Sequence, residues 1–286
     1  MKSIYKYLTL ALSFPILFSS CLKDDELIGP DADGAFKNVI EFKNIAPIKS
    51  TTTSPYPVYV PSTLDPEVPE VTVNAIVRYA GVEDAPEDIT VELGIDANIV
   101  SEYNSSQSGT YVSLPVENYE FPSSVVIKKG EREALVPIKL HVDKFDKTKE
   151  NVLPIVIKST TSSAPVSGNF GKIILSFPVK SIWEGSYKYS IINPAEGNDS
   201  EEGKTLSTVG PNLVEAEGLF NYYSGWTRYQ FDSENTTVLQ LSAFSGSALA
   251  VSNLQTVTVD AENRIFEVKW TVLGRNITER FERIGD

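Results

Sequence analysis

The stretch VTVNAIVRYA, residues 71–80, alternates apolar and polar side chains along most of its length. A two-residue period places the apolar set on one face of a β-strand, because successive strand side chains point to opposite faces. The run DITVELGID (88–96) follows, after the turn-forming segment EDAPED (83–88). This arrangement predicts two half-buried strands separated by a turn.

The same pattern recurs from residue 38 to residue 179, with almost no helical periodicity. Seven short strands separated by Gly, Pro and Ser clusters predict an antiparallel β-sandwich of immunoglobulin-like type. The predicted strands are NVIEFKNI (38–45), VTVNAIVRYA (71–80), DITVELGID (88–96), SSVVIKKG (123–130), ALVPIKLHV (134–142), NVLPIVIKS (151–159) and GKIILSFPV (171–179). In the turn after the fourth of these, Gly130 suits a hairpin that needs a positive φ.

A second β domain is predicted from residue 180 to residue 286. A long polar loop, NPAEGNDSEEGKTLS (193–207), is expected after its first strand, and a tight hairpin turn at Gly274-Arg275 before its last. The predicted strands lie within SIWEGSYKYSI (181–191), NLVEAEGLF (212–220), TRYQFDS (227–233), TVLQLSAF (237–244), NLQTVTVD (253–260), RIFEVKWTVL (264–273) and NITERFERI (276–284). This succession predicts an up-and-down meander that forms either an antiparallel barrel of lipocalin-like type or a sandwich. Trp183 and Trp270 lie in its periodic segments and are expected in the core.

Composition narrows the range of functions. The 286 residues are 41% hydrophobic and 22% charged, which is typical of a folded chain long enough for two domains. A net charge of −13 argues against nucleic acid as a partner, since phosphate binding needs a basic surface. The single histidine, His141, lies in a strand-like run, and we expect it on a strand surface.

No motif for catalysis is present in the sequence. One histidine and one cysteine are too few for most nucleophile–base pairs or zinc sites. A phosphate-binding glycine loop, a nucleophile elbow and metal-ligand spacings are also missing. We therefore expect no enzyme, no cofactor and no metal.

The amino terminus has the pattern of a secretory signal peptide. Lys2 and Lys6 form a positively charged start, and an apolar run over residues 7–18 follows, which is too short to span a bilayer. Two serines then precede Cys21, the only cysteine in the chain. From these features we predict a signal peptide over residues 1–20 and an acidic tether over residues 21–34. The alternative is an ordinary signal peptide in which the cysteine is incidental.

The sequence Phe18-Ser19-Ser20-Cys21 resembles a bacterial lipobox, although such boxes usually carry Leu at the position of Phe18. The resemblance implies acylation of the Cys21 thiol, a signal peptide cleaved before it, and anchorage in the outer membrane. The following LKDDE (22–26) resembles the acidic export signal of surface-exposed lipoproteins in Bacteroidetes, which implies that the protein faces the cell exterior. A solvated charged tether is the alternative interpretation of these residues.

A further resemblance extends over about half of the chain. The order DITVELGID, YVSLPVENYEFPSS, ALVPIKL, VLPIVIKS and GKIILSF resembles a family of domains of unknown function at the start of Bacteroidetes surface lipoproteins. Some of these belong to polysaccharide-utilisation systems. The resemblance implies an immunoglobulin-like domain over residues 35–179, and an outer-membrane transporter or other surface lipoproteins as partners.

The segment LFNYYSGWTRYQF (219–231) concentrates aromatic side chains with polar residues between them. A saccharide presents apolar C–H faces and hydroxyl edges, so its site combines flat aromatics with polar donors and acceptors. Tyr222, Tyr223, Trp226 and Arg228 are the candidate ligand-binding residues. Alternatively, strand alternation buries half of the aromatics.

From these features we expect a non-catalytic glycan-binding accessory protein of a polysaccharide-utilisation system. Two alternatives remain from the sequence. One is a structural, adhesive or partner-docking surface protein, and the other is a protein that holds a small apolar ligand inside the C-terminal barrel.

Overall fold

The computed structural model describes residues 38–45, 47–193, 197–220 and 223–285. The predicted signal peptide, Cys21, the acidic tether and the candidate residue Tyr222 lie outside these ranges. Strands dominate the described residues, so the prediction of an all-β fold is confirmed. The described residues contain two large hydrophobic cores, one formed between residues 40 and 177 and the other between residues 183 and 281, and a third, smaller cluster around helix residues 99–103.

Ten strands and one α-helix make up the described residues up to Ser176. The strands are β1 (Asn38–Phe42), β2 (Val58–Tyr59), β3 (Glu70–Gly81), β4 (Ile89–Ile95), β5 (Tyr111–Ser113), β6 (Tyr119–Glu120), β7 (Ser124–Ile127), β8 (Glu133–His141), β9 (Glu150–Thr160) and β10 (Lys172–Ser176), and the helix is α1 (Asn98–Gln107). Short 3₁₀ turns occupy Val116–Asn118 and Val142–Lys144. All seven predicted strands therefore have a counterpart, while β2, β5, β6 and α1 were not predicted.

These strands form two sheets that share one core. The first sheet has the order β1-β3-β8-β6, and the second has the order β2-β10-β9-β4-β7 with β5 added on β9. Side chains of both sheets meet in the core, for example Val77 of β3 and Val91 of β4, so the arrangement is a β-sandwich. The expectation of a purely antiparallel sandwich is wrong in two places, because β2 pairs with β10 and β5 with β9 in parallel.

The turn at Gly130 connects the two sheets. Gly130 has φ +81°, as expected, and its N–H donates to the carbonyl of Ala85 at 2.8 Å. However, β7 pairs with β4 and β8 pairs with β3, so this turn does not close a hairpin. The alternating pattern located both strands but contained no information on which sheet each one joins.

Helix α1 is stabilised by packing. Its segment NIVSEYNSSQ has few apolar residues, and its first turn has no side-chain cap. Ile99, Val100 and Tyr103 are nevertheless buried against Tyr111 and Val152 in a small cluster on the second sheet. Tertiary burial supplies most of the stability of such a short helix, which explains why the sequence pattern did not predict it.

The residues after Gly185 form one sheet of nine strands. They are β11 (Gly185–Asn193), β12 (Gly197–Gly210), β13 (Leu213–Leu219), β14 (Tyr223–Phe231), β15 (Val238–Ser245), β16 (Ser247–Leu249), β17 (Val251–Asp260), β18 (Ile265–Val272) and β19 (Arg275–Gly285), in the order β16-β15-β14-β13-β12-β11-β19-β18-β17. All pairings are antiparallel. Each pair joins strands that are consecutive in the chain, except for the pair of β11 with β19. The Oγ1 of Thr256 on β17 accepts the N–H of Val238 on β15 at 3.1 Å, so the two ends of the sheet meet. The result is an up-and-down barrel with one incompletely paired seam.

The predicted polar loop over residues 193–207 is mostly strand. β12 begins at Gly197 and pairs with β11 from Asn193↔Gly197 to Gly185↔Leu206. Backbone groups make this ladder, so a polar composition does not prevent it. Lys204 and Leu206 are buried, so these two residues lie on the inward-facing side of β12.

Aromatic side chains pack around Trp183 in the core of the barrel. Trp183 stacks on Phe231 with a centroid distance of 4.6 Å and meets the edge of Phe266 at 5.4 Å. The phenol of Tyr187 donates to the carbonyl of Trp183 at 3.0 Å. Trp183 and Trp270 are both fully buried, as predicted.

The last hairpin turns one residue earlier than predicted. Val272 pairs with Arg275, so the two loop residues are Leu273 and Gly274, with φ of +49° and +74°. Two consecutive positive φ values are typical of a type I′ turn, for which Asn-Gly is the favoured pair. Leu273 is 70% exposed and gains little from burial in this position.

We expect Leu273→Asn to stabilise the barrel. An ordinary side chain costs about 1–2 kcal/mol in the left-handed region, whereas Asn tolerates it. The variant should therefore unfold at a temperature about 2–4 °C higher, as measured by circular dichroism. Leu273→Ala, which gains no left-handed preference, is the matched control; equal melting temperatures for the two variants would refute this explanation.

Candidate functional site

Strand β14 divides the predicted aromatic segment between two faces of the barrel wall. Thr227, Tyr229 and Phe231 point inward and are buried, whereas Trp226 and Arg228 lie on the outer face and are partly exposed. Phe220, just before the strand, is also buried and contacts Trp270 with a centroid distance of 5.3 Å. This arrangement agrees with the alternative interpretation of the sequence, in which strand alternation buries half of the aromatic side chains.

The outer-face residues form an aromatic platform, defined here as Trp226, Phe244, Arg228 and Glu215. Trp226 of β14 pairs across the strands with Phe244 of β15, and the ring centroids lie 5.6 Å apart at an interplanar angle of 10°. The guanidinium carbon of Arg228 lies 4.1 Å from the centroid of Trp226. Stacked aromatic and cation–π contacts both stabilise such an arrangement and hold the indole in one orientation.

An ion pair completes the platform. The Nε–H of Arg228 donates to Oε2 of Glu215, directly opposite on β13, at 2.7 Å. Among the described residues this is the only hydrogen bond of the Arg228 side chain, so its terminal NH₂ groups can donate to a ligand. The platform thus presents apolar ring surface, hydrogen-bond donors and a carboxylate on one open sheet face.

The other candidate residues are placed less centrally. Tyr223 is the first residue of β14, is 45% exposed, and pairs with Leu219. Tyr222 lies outside the described residues. Trp226 and Arg228 are therefore the two predicted residues that the structure brings into contact.

Sequence reasoning missed Phe244 and Glu215. Both come from neighbouring strands and meet Trp226 and Arg228 only through the register of β13–β15. An outward-facing Phe in the strand TVLQLSAF was visible in the sequence, but its partner was not, because register is a property of the assembled sheet.

The barrel interior contains a buried carboxylate. Glu279 is 1% exposed and accepts hydrogen bonds from the phenol of Tyr189 at 2.5 Å, the phenol of Tyr229 at 3.0 Å and the indole N–H of Trp270 at 2.6 Å. Burial raises the pKa of this carboxyl, while the three donors and the nearby Lys204 act in the opposite direction. We refer to these five residues as the interior carboxylate cluster.

A second polar group lies in the same interior. The Oγ1 of Thr227 is buried and has no hydrogen-bond partner among the described residues. It acts to lower the pKa of the neighbouring Tyr229 phenol, whereas burial and Glu279 raise that pKa well above its usual value. Because Glu279 is enclosed and already hydrogen-bonded, we assign the interior carboxylate cluster a structural role.

Glu279 has a signal in the sequence that the predictions above did not use. In NITERFERI the inward positions are Ile277, Glu279 and Phe281, so an acidic residue interrupts an apolar face. A charged residue on a buried face requires hydrogen-bonding partners. The position of Glu279 on this face therefore predicts a buried polar cluster.

His141 lies at the end of β8 and is partly buried. Its Nδ1 lies 2.8 Å from Oε1 of Glu70, and Lys139 pairs with Glu70 at 3.0 Å and with Glu120 at 3.4 Å. Within the described ranges, no group of three or more His, Cys, Asp or Glu residues is arranged to hold a metal ion. No helix in this part of the chain has the length and apolarity needed to cross a bilayer.

Comparison with known proteins gives one family match and several structural similarities. A family model described as "-like, N-terminal domain" matches residues 43–164, which is less than half of the chain. None of the curated proteins matches the chain.

The structural similarities are to proteins from Bacteroides. A structure from Bacteroides ovatus, described as structural genomics of unknown function, is 18% identical, covers 86% of this chain and 93% of its own, and has a TM-score of 0.47. A Bacteroides ovatus multidomain protein including DUF1735 is 17% identical over 85% of this chain and 92% of its own, with a TM-score of 0.44. An auxiliary nutrient binding protein from Bacteroides thetaiotaomicron is 13% identical over 74% and 83%, with a TM-score of 0.35. None of these similarities identifies a ligand.

The interior carboxylate cluster predicts a pH dependence of stability. Because the pKa of Glu279 is raised in the folded state, the folded chain retains a proton that the unfolded chain releases above about pH 4.5. The contribution of Glu279 to stability therefore falls as the pH rises through its folded pKa. In Glu279→Gln this contribution is removed, so the stability of the variant relative to the wild type should rise with pH above about 4.5.

Urea unfolding at a series of pH values measures this difference. Glu217→Gln, on the exposed outer face of β13, is the matched control and should follow the wild type at every pH. A Glu279→Gln curve parallel to that of the wild type would show that the carboxyl is not perturbed by burial.

Proposed function

We propose that this chain is a non-catalytic glycan-binding accessory protein, anchored by lipid at the cell surface. The observation that carries the binding proposal is the aromatic platform. Trp226 and Phe244 supply apolar ring surface, and Arg228 and Glu215 supply donors and acceptors at its margin. This combination matches the alternating C–H faces and hydroxyl edges of a saccharide.

The position of the platform favours a polymer over a small molecule. It lies on the outer face of three neighbouring strands, β13, β14 and β15, rather than inside a cavity. A polysaccharide chain can cross such a face at any point along its length. An enclosed pocket would admit only a chain end or a free sugar.

An apolar ligand inside the barrel is less well supported. The aromatic rings of Trp183, Phe231, Phe266 and Phe281 pack against one another at centroid distances between 4.6 and 5.4 Å. The polar interior carboxylate cluster adjoins these rings, since Tyr189 and Tyr229 both contact Phe281, and buried polar groups are an unfavourable surrounding for a hydrocarbon. The geometry therefore favours the outer face.

Trp226→Ala should weaken binding to a glycan. Removing the indole eliminates its stacking surface and releases Arg228, at a cost of about 1–2 kcal/mol, or roughly a five- to thirty-fold higher Kd. Isothermal titration against a panel of plant, mucin and microbial polysaccharides measures the effect.

Leu239→Ala is the control for this experiment. Leu239 is 61% exposed on β15 but is not part of the platform, so its removal should leave Kd unchanged. If no polysaccharide binds, or if both variants weaken binding equally, the platform is not a glycan site and the structural or adhesive alternative is favoured.

The lipid anchor at Cys21 is proposed from the sequence alone. Two or three acyl chains hold a protein stably on a membrane, whereas a single chain binds it only marginally. We propose that such an anchor holds the protein on the outer membrane. The resemblance of LKDDE (22–26) to an export signal supports a position facing the exterior, near a transporter or other surface lipoproteins that deliver or receive the glycan.

Cys21→Ser should release the protein from the membrane. Mass spectrometry should find acyl groups on the wild-type amino-terminal peptide and none on the variant, and fractionation should place the variant outside the membrane pellet. Ser20→Ala, which keeps a small residue before the cysteine, should remain lipidated. An unmodified thiol at Cys21 in the wild type would refute the anchor, and resistance to protease on intact cells would refute exterior exposure.

A further inference from the structure

A pocket of about 270 Å³ lies at the junction of the sandwich and the barrel. On the sandwich side it is lined by the start of β9 and the end of β10, including Asn151 and Ser176. On the barrel side it is lined by Glu184, by the last three residues of β12 (208–210) and by Pro211 in the turn that follows. Both parts of the chain therefore contribute to one small concave site.

The junction pocket is rich in cations. Lys49, Lys147 and Lys149 all line it. Lys49 is engaged with Glu150 at 3.4 Å, and Lys147 Nζ lies 3.5 Å from the carbonyl oxygen of Pro66. Among the described residues, the side chain of Lys149 has no hydrogen bond or ion pair within the usual distances.

The acidic residues near the pocket already have partners. Besides Lys49, the carboxylate of Glu150 accepts a hydrogen bond from Thr110 at 3.1 Å. Glu184 pairs with Lys180 at 2.7 Å. Asp146 accepts hydrogen bonds from Thr148, and Lys149 contributes to lowering its pKa. The charges of Lys147 and Lys149 thus lack a matched carboxylate in the pocket wall, in a chain whose net charge is −13.

Uncharged donors lie beside these ammonium groups. Ser176 is 2% exposed, and its hydroxyl makes no hydrogen bond with the described residues although it lines the pocket. This hydroxyl is therefore available to donate to or accept from a molecule in the pocket. The Oγ1 of Thr208 accepts the N–H of Ser181 at 2.9 Å, and the hydroxyl side chain of Thr208 also helps to lower the pKa of Glu184. The remaining wall is apolar and consists of Pro178, Val179, Val209 and Pro211.

We infer that the junction pocket binds a small organic anion, in which a carboxylate or sulfate ester is carried on a compact carbon skeleton of about one sugar ring. The anionic oxygens lie against Lys147 and Lys149, a hydroxyl group accepts from Ser176, and the C–H face contacts the prolines and valines. A volume of about 270 Å³ is just below the usual range for small-molecule sites of roughly 300–1,000 Å³, so the occupant is small. A uronic acid or a sulfated monosaccharide has this chemistry.

This inference is independent of the aromatic platform. The residues of the junction pocket and of the platform do not overlap. Loss of one site therefore leaves the other measurable, and failure of the glycan proposal can be separated from failure of this one.

The test titrates the purified full-length chain with D-glucuronate, glucose 6-sulfate, D-glucose and inorganic sulfate, by isothermal titration calorimetry. We expect the two sugar anions to bind and D-glucose not to bind, with affinity falling as salt is raised from 50 to 300 mM because ions screen the lysines. Inorganic sulfate should compete only weakly with the sugar anions for the pocket, since it lacks the carbon skeleton. Whichever sugar anion binds more tightly identifies the anionic group.

The matched variants are Lys147→Gln/Lys149→Gln and Lys129→Gln. Lys129 is exposed on the turn after β7 and does not line the pocket. The double variant should weaken anion binding about fivefold or more, while Lys129→Gln should have no effect. Unchanged unfolding temperatures would show that both variants fold.

Three results would overturn the inference. One is equal binding of D-glucose and D-glucuronate, which would mean that charge is not recognised. Another is an equal loss in Lys129→Gln, which would indicate a general effect of surface charge. The third is the absence of any binding by the sugar anions at 50 mM salt.

Discussion

The pairing of β11 with β19 is the constraint on which the barrel depends. These strands are the first and the last of the meander, and their ladder places Tyr189 opposite Phe281. Closure brings Tyr189 to Glu279 and gives the buried carboxylate one of its three donors. A buried carboxylate without such partners is strongly unfavourable. The polar interior therefore selects one register of closure and opposes a slip by one residue.

The aromatic platform is a consequence of the same closed sheet on its other face. Because β14 alternates, Tyr229 must point into the barrel if Trp226 and Arg228 are to point out. The alternation of one strand thus sets both the buried position of Tyr229 and the outward position of Trp226 and Arg228. A face built in this way is rigid before a ligand arrives, which limits the conformational entropy lost on binding.

The junction between sandwich and barrel is held by both backbone and side chains. Leu64 forms a parallel bridge with Val179, the N–H of Lys180 donates to the carbonyl of Leu64 at 2.9 Å, and Arg264 pairs with Glu67. These contacts bring the lysines of one part beside the β12–β13 turn of the other. The junction pocket exists because two independently packed cores meet over this short connection.

The sequence by itself determined the all-β class, the positions of most strands and the burial of Trp183 and Trp270, because alternation and aromatic content are local properties of the chain. It did not predict helix α1, strand β12 within a polar segment, or the partners of Trp226. Those features depend on which strands are neighbours and in which register, and they are stabilised by contacts between residues far apart in the chain. Only the tertiary structure decided that Phe244 lies beside Trp226, that Glu279 is satisfied by three donors, and that unmatched lysines line a pocket between the two parts. Local patterns specify which face of a strand is buried, whereas a site needs the distances between strands, and those are set when the sheets close.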